Sequence, residues 1–200
     1  MAAGFETVTT LMDLEKLYDT IGHTGLFKIA TEQGAPLRTL YLDLLLFQAP
    51  RVLQCMGACS SQIVPGTSIV AGSRHANQWA RIALYNVLEK AHSRRPWSTP
   101  QEWVDDMVLT TTGTARIIDW HAPPAIRELV ADLKENGFRI SDKSIIVGSS
   151  MAVARRVAEK VGEPMVTSAL TGKDLGIDFG GGKRRARRAH KKRISAGLTR

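Results

Sequence analysis

The stretch Trp103-Val104-Asp105-Asp106-Met107-Val108-Leu109 constrains this chain more than any other. Two adjacent carboxylates stand between short apolar runs with strand propensity, Trp103 and Val104 before them and Met107 to Leu109 after. The pattern predicts a strand, a two-residue turn and a second strand. Turns between apolar strands usually use Gly or Asn. Acids placed there crowd two like charges together, and that cost falls when a cation sits between them. A bound divalent metal is the economical reading. A solvated hairpin tip is the plain alternative.

The charge balance adds a second constraint. The chain has 27 Lys and Arg against 19 acids, a net charge of +8. Nine of those bases, and no acid, fall after Asp178: Lys183, Arg184, Arg185, Arg187, Arg188, Lys191, Lys192, Arg193 and Arg200. Without them 18 bases face 19 acids, so the body is nearly neutral. Basicity is a tail property, and it suits a polyanionic partner. A hydrophobic content of 44% over 200 residues is enough for one globular domain with appendages. Cys55 and Cys59 are too few for a disulfide framework and lack further ligands for a metal site, so both read as reduced thiols of an intracellular protein. His23, His75, His92, His121 and His190 show no ligand spacing and read as surface or loop residues. Trp79 and Trp97 read as core and loop packing. No apolar run reaches membrane-spanning length, and no secretory leader is visible.

The remaining chain alternates strands and helices irregularly. Thr7 to Met12 reads as a strand that delivers Asp13 at its end. Helices are expected over Ile21–Gln33, Leu37–Leu45 and Arg74–His92, the second strongly buried because Leu37, Leu40, Tyr41, Leu44 and Leu45 recur at helical spacing. Arg51–Met56 and Gln62–Val70 read as strands, Ser93–Pro100 and Thr110–Thr114 as loops. Pro123-Pro124 should start a helix that buries Ile126, Leu129, Val130 and Leu133 and stops at Gly137. Short strands follow at Phe138–Ile140 and Ile145–Val147. Ser149 or Ser150 can cap a helix to Val161. Met165–Leu170 and Leu175–Phe179 read as strands, and Gly180 to Gly182 as a hinge before the basic tail. The class is α+β.

Taken in order, these features resemble the palm of a reverse transcriptase, most similar to the non-long-terminal-repeat retrotransposon type. Asp13-Leu14-Glu15-Lys16-Leu17-Tyr18-Asp19 resembles the first catalytic motif. Val70-Ala71-Gly72-Ser73 resembles the Gln-Gly turn before the palm helix, and Trp103-Val104-Asp105-Asp106 the aromatic-x-Asp-Asp box. Gly137 to Ser144 resembles the Gly-x-x-Ile/Leu-Asn-x-x-Lys-Ser segment, and Leu175-Gly176 the Leu-Gly of the primer grip. The chain departs from the pattern at Ala71, at Ala76-Asn77 (usually Ser-Pro), at Leu17 (usually small) and at Trp103 (usually Tyr or Phe).

The resemblance implies an RNA-directed DNA polymerase palm, with a ferredoxin-like antiparallel sheet and helices packed on one face. Residues 1–148 would be the palm-like domain, 149–182 its primer-grip-like continuation, and 183–200 a basic tail that starts a thumb or is disordered. It implies catalytic, metal-holding carboxylates at Asp13, Asp105 and Asp106 with Mg²⁺ or Mn²⁺, and a proton donor or phosphate contact at Lys143. Tyr18 would lie under the sugar of an incoming nucleotide, beside the turn at Gly72. Lys183, Arg184, Arg185, Arg187, Arg188, Lys191, Lys192 and Arg193 would hold nucleic acid. Partners would be an RNA template, a DNA primer and deoxynucleoside triphosphates, with a further protein segment supplying the fingers and thumb expected to be missing. The location would be intracellular, and nuclear for a retroelement. The alternative is a catalytically inactive nucleic-acid-binding remnant.

Overall fold

The first strand, β1 (Phe5–Glu15), sets the layering. Its even-numbered residues Val8, Thr10, Met12 and Leu14 are buried, while on the other face Thr7, Thr9 and Asp13 are half-buried and Leu11 is buried. That two-residue period gives the sheet a helix side and an open side. The computed structural model describes residues 4–103, 106–162, 166–174 and 177–180.

After β1 come α1 (Leu17–Thr20), α2 (His23–Glu32), α3 (Leu37–Phe47), the small hairpin β2 (Gln54–Cys55) and β3 (Ala58–Cys59), and α4 (Ala76–Arg94). β4 (Ser98–Trp103) and β5 (Asp106–Thr114) lead into α5 (Ala115–Glu135), β6 (Arg139–Ile140), β7 (Ile145–Gly148) and α6 (Met151–Val161). β8 (Thr167–Ala169), β9 (Thr171–Asp174) and β10 (Ile177–Gly180) complete the described chain. The main sheet has the order β4-β5-β1-β7-β8, with β6 pairing the end of β1. All its pairs are antiparallel except β7 with β8. The succession β1, α4, β4, β5, α5, β7 is a β-α-β-β-α-β unit of the ferredoxin-like kind. β8 extends it by a parallel step through α6. The architecture is α+β, as the sequence predicts.

α4, α5 and α6 cover the even face. Their core residues include Trp79, Leu84, Ile118, Leu129, Leu133, Val157 and Val161, and these join Val8, Met12, Met107 and Leu109 of the sheet in one cluster. Ion pairs fasten the helices. Asp132, with its side chain only 7% exposed, accepts from Lys90 and from Arg94 at 3.1 Å, which ties α5 to α4. Arg95 pairs with Glu128. Arg156 of α6 reaches Asp119 and Glu6, each at 2.6 Å, and Lys160 also meets Asp119. Burial alone would raise the Asp119 carboxyl, but hydrogen bonds from Arg156 and Lys160 outweigh it and hold the group below the usual carboxylate range.

Several elements differ from the sequence expectation. Thr110–Thr114 is strand, not loop. Its threonines pair across the sheet, Thr110 with Thr9 and Thr112 with Thr7, so polar residues satisfy both ladder and side chains. Likewise β4 begins at Ser98, inside the expected loop. α5 starts eight residues before Pro123 at a Thr114 cap, whose hydroxyl accepts from the Ile117 amide. Two interior prolines forfeit two helical donors. Contacts of α5 with β1, β5, α4 and α6, and burial of Ile118 and Ala122, offset that loss. Residues 62–70 form no strand, only the bridges Arg51↔Ile63 and Gly22↔Thr67. Pro65-Gly66 breaks the pairing, and the segment instead lays Ile69 into the core as a strap. The 51–56 strand shrinks to Gln54–Cys55, turned by Met56 and Gly57 with φ of 48° and 84°, left-handed values that a tight hairpin turn requires. α3 buries only Leu40, Leu44 and Phe47; Leu37, Tyr41 and Leu45 are exposed. His23 is buried rather than on the surface, with Nε2 2.8 Å from the Ser68 carbonyl. An additional hairpin, β9–β10, stands where one strand was expected. Leu175 and Gly176, and the hinge at 181–182, lie outside the described residues.

Candidate active site

β1 and β5 pair without interruption from Phe5↔Thr114 to Asp13↔Asp106. Directly opposed residues of an antiparallel pair point to one face, with Cβ atoms about 4.5–5.5 Å apart. Met12↔Met107 and Thr10↔Leu109 face the helices, so Asp13 and Asp106 share the open face. Both are half-buried. On its other side Asp106 pairs with Trp103. β4 ends at Trp103 and β5 begins at Asp106, so Asp106 is a strand residue. Asp105 lies outside the described residues.

The backbone of Asp13 is clamped from the far side by the turn between β6 and β7. Its amide donates to Ser144 Oγ at 3.4 Å and its carbonyl accepts from the Ser141 amide at 2.8 Å. Ser144 Oγ donates to the Ser141 carbonyl at 2.8 Å, and Ser141 Oγ accepts from the Lys143 amide at 3.2 Å. Both serines are buried. This turn fixes the end of β1 and carries the exposed Lys143 to the same end of the sheet as the two carboxylates.

Tyr18 follows where the chain turns off β1. Lys16 adopts a left-handed conformation, φ 51°, and starts α1 directly after the strand. The Tyr18 hydroxyl donates to Asn77 Oδ1 in the first turn of α4, and its carbonyl accepts from the Ile69 amide at 2.9 Å. The ring packs half-buried against the core. It is held between α4 and the strap, so its position is fixed by more than its own helix. Gly72 precedes α4 with φ 84° and open space where a Cβ would stand. Its conformation, not close packing, demands glycine there.

On the open face the β9 strand lies alongside. A Cβ on Gly172 would come 2.5 Å from Leu11 Cδ1 and 2.8 Å from Ile145 Cδ1. The β9–β10 hairpin thus rests on the sheet two residues from Asp13 on the same face. The basic residues Lys183 to Arg193 lie outside the described residues. Sequence reasoning passed over two positioning groups, Asn77 and Ser141. Asn77 stands where the reverse-transcriptase pattern has another residue, and Ser141 is a common turn residue.

Two opposed carboxylates at the end of a sheet are hard oxygen donors with mutual repulsion, the donor chemistry that suits Mg²⁺ together with substrate oxygens. Among the described residues no group of three His, Cys, Asp or Glu side chains forms a metal-ligating cluster. Asp13 and Asp106 contribute two oxygen donors to one face. No described helix is long and apolar enough to cross a membrane.

No protein-family model matches the chain, and no curated protein matches it. Among solved structures it is similar to apo telomerase from Candida tropicalis, truncated from its C-terminal domain, with a TM-score of 0.57 and 11% sequence identity. The similarity covers 88% of this chain and 34% of that one. The chain thus spans about a third of the telomerase chain it matches. The likeness is one of fold over the matched part.

Proposed function

We propose that this chain is the palm of an RNA-directed DNA polymerase of the retrotransposon reverse-transcriptase type. The reading is carried by one observation: Asp13 and Asp106 oppose each other on the open face, at the end of the sheet where the Asp-Asp stretch lies. The telomerase-like fold supports it. Asp13, Asp105 and Asp106 would hold Mg²⁺, or Mn²⁺ in its place. Bound there, the ions would acidify a primer hydroxyl and neutralise a departing pyrophosphate.

The chain's own residues do the positioning. The Ser141–Ser144 turn holds the Asp13 backbone, which fixes where its side chain leaves the strand. Preorganisation of this kind matters because misplacement of about 1 Å can cost about a hundredfold in rate. Tyr18, pinned to Asn77, presents its ring to the sugar and excludes a 2′-hydroxyl. Gly72 makes the turn beside it. Lys143 gives a proton or a cationic contact to the leaving phosphate. Lys183, Arg184, Arg185, Arg187, Arg188, Lys191, Lys192 and Arg193 neutralise phosphates of an RNA template and DNA primer. Contacts to the far side of the triphosphate come from a fingers segment, and residues 149–182 continue the palm towards a thumb. As a retroelement product the protein works in the nucleus.

The test is extension of a DNA primer on an RNA template with Mg²⁺. The 200-residue chain is compared with the same chain carrying a reverse-transcriptase fingers segment fused ahead of Met1. Extension is expected from the fused form, weak or none from the short chain, and loss of at least a thousandfold on Asp13→Asn or Asp105→Asn. Synthesis that survives Asp13→Asn refutes the assignment. Salt-sensitive nucleic-acid binding with no extension in either form leaves the inactive binding remnant as the reading.

A further inference from the structure

The outer surface of α5 carries a stripe of cations around one exposed indole. At about 100° per residue, Arg116, Trp120, Arg127 and Lys134 fall within a sector about 40° wide. The stripe runs about 27 Å along the helix. All four side chains are exposed, and Trp120 leaves 74% of its surface in solvent. Tryptophan is highly buried on average, so an indole left this bare is the informative residue of the surface.

The acids of α5 lie off this stripe, and three of the four are already matched. Asp119 turns to α6, where Arg156 and Lys160 hold it. Glu128 pairs with Arg95, and Asp132 with Lys90 and Arg94, on the side of α4. Among the described residues Glu135 of the last turn has no ion pair, and it stands about 100° round from Lys134. Among the same residues Arg116, Arg127 and Lys134 pair with no acid; Arg127 Nη1 donates to the Lys160 carbonyl, which leaves its charge uncompensated. The helix thus turns its matched acids towards its neighbours and three unmatched cations outward.

A second indole lies at the rim of the stripe. Trp97, 51% exposed, has its ring 6.1 Å from that of His121, the residue after Trp120. The chemistry of the stripe selects its occupant. A row of cations attracts a polyanion. An indole among them favours a polyanion that carries flat π systems, because any base can stack on Trp. A single-stranded nucleic acid supplies both, whereas a duplex keeps its base faces stacked inside. A bilayer surface does not fit. A helix lying in that interface buries its apolar face there, and the apolar face of α5, with Ile118, Ile126 and Leu129, already covers the core.

We infer that the outer face of α5 binds single-stranded nucleic acid, with a base stacked on Trp120 and phosphates against Arg116, Arg127 and Lys134. This face lies on the helix side of the sheet, whereas Asp13 and Asp106 share the open side. A strand held here is outside the carboxylate site, so the inference stands or falls apart from polymerase activity. The sequence after Phe179 adds charge but no Phe, Trp or Tyr. Loss of stacking on removal of an indole therefore reports this face and not the tail.

The experiment titrates the full chain, by fluorescence anisotropy, against a labelled oligothymidylate of about 12 nucleotides and the matching strand of abasic deoxyribose phosphates. The wild type is expected to bind the oligothymidylate at least fivefold more tightly than the abasic strand, and Trp120→Ala should remove that difference. Trp120 is exposed, so this variant should keep the wild-type melting curve by circular dichroism. Arg116→Gln with Arg127→Gln should weaken both probes alike and lower the log–log salt slope by about 1.4, at about 0.7 per single-strand phosphate contact. Trp120→Ala should leave that slope unchanged. Equal binding of the two probes by the wild type, or a preference that survives Trp120→Ala, overturns the proposal. So does a salt slope unaltered in Arg116→Gln with Arg127→Gln. Anionic-vesicle binding that Trp120→Ala removes, with oligothymidylate affinity unaffected, would overturn it in favour of a membrane surface.

Discussion

Replacing Asp13 with Asn should stabilise the protein when no divalent metal is present. Asp13 and Asp106 are directly opposed across β1 and β5 on one face, which puts their Cβ atoms about 5 Å apart. Two unit charges at that distance repel by about 0.8 kcal/mol in water and about 3 kcal/mol at an effective dielectric of 20. Both groups are half-buried at a sheet end, so the lower figure applies. A gain of about 0.5–1 kcal/mol at low ionic strength is expected, shrinking towards zero in 1 M NaCl, where the Debye length is about 3 Å. Mn²⁺ should invert the comparison. At ten times its dissociation constant a ligand of the native state adds about 1.4 kcal/mol, and only the wild type should collect it in full. The assay is urea unfolding of both proteins at pH 7 with chelator, with salt and with Mn²⁺. A less stable Asp13→Asn protein in chelator, or an equal response of both proteins to Mn²⁺, would refute the opposed-carboxylate account.

Tyr18→Phe removes the hydroxyl that donates to Asn77 and should cost about 0.5–1.5 kcal/mol in urea unfolding; in an active, longer form, Tyr18→Val should admit ribonucleotides in single-nucleotide extension. Gly148→Ala places a Cβ 2.7 Å from the Ala154 amide nitrogen and 2.8 Å from the Ser150 carbonyl at the start of α6, and should cost about 1–3 kcal/mol by thermal unfolding. Asp119 is held below its ordinary range in the folded state, so its contribution is present above the unfolded carboxylate pKa and is lost as pH falls through the lower folded value; acid titration of stability should therefore be shallower in Arg156→Ala than in wild type. Deleting Lys183 to Arg200 should flatten the salt dependence of RNA binding, since each phosphate neutralised adds about 0.7–0.9 to the log–log slope; an unchanged slope would put the binding surface on the sheet.

The parts of the fold that follow from local pattern were legible in the sequence. β1 alternates, α5 carries Ile126, Leu129, Val130 and Leu133 on one face, and Ser150 caps α6. The parts that tertiary pairing decides were not. Threonines 110–112 look like a polar loop until Thr7 and Thr9 are set opposite them. Pro123-Pro124 looks like a helix start until the upstream turns are packed on the sheet. For α3 the periodicity correctly gives a helix, but leucines on every side cannot say which side meets the core. In the site, the acids and Tyr18 stand out by residue type and order. Their geometry depends on the register Asp13↔Asp106 and on ordinary residues, Ser141, Ser144 and Asn77, whose value lies only in what they touch.

The most direct measurement is Mn²⁺ titration of the 200-residue chain, followed by electron paramagnetic resonance. It is run alone, then with an RNA template, a DNA primer and a nonhydrolysable deoxynucleotide. Weak binding alone and at least tenfold tighter binding in the full mixture are expected, with the gain lost in Asp13→Asn and in Asp105→Asn. Identical Mn²⁺ binding by the wild type and both variants, with or without nucleic acid and nucleotide, would contradict the claim that these carboxylates form a nucleotidyl-transfer site.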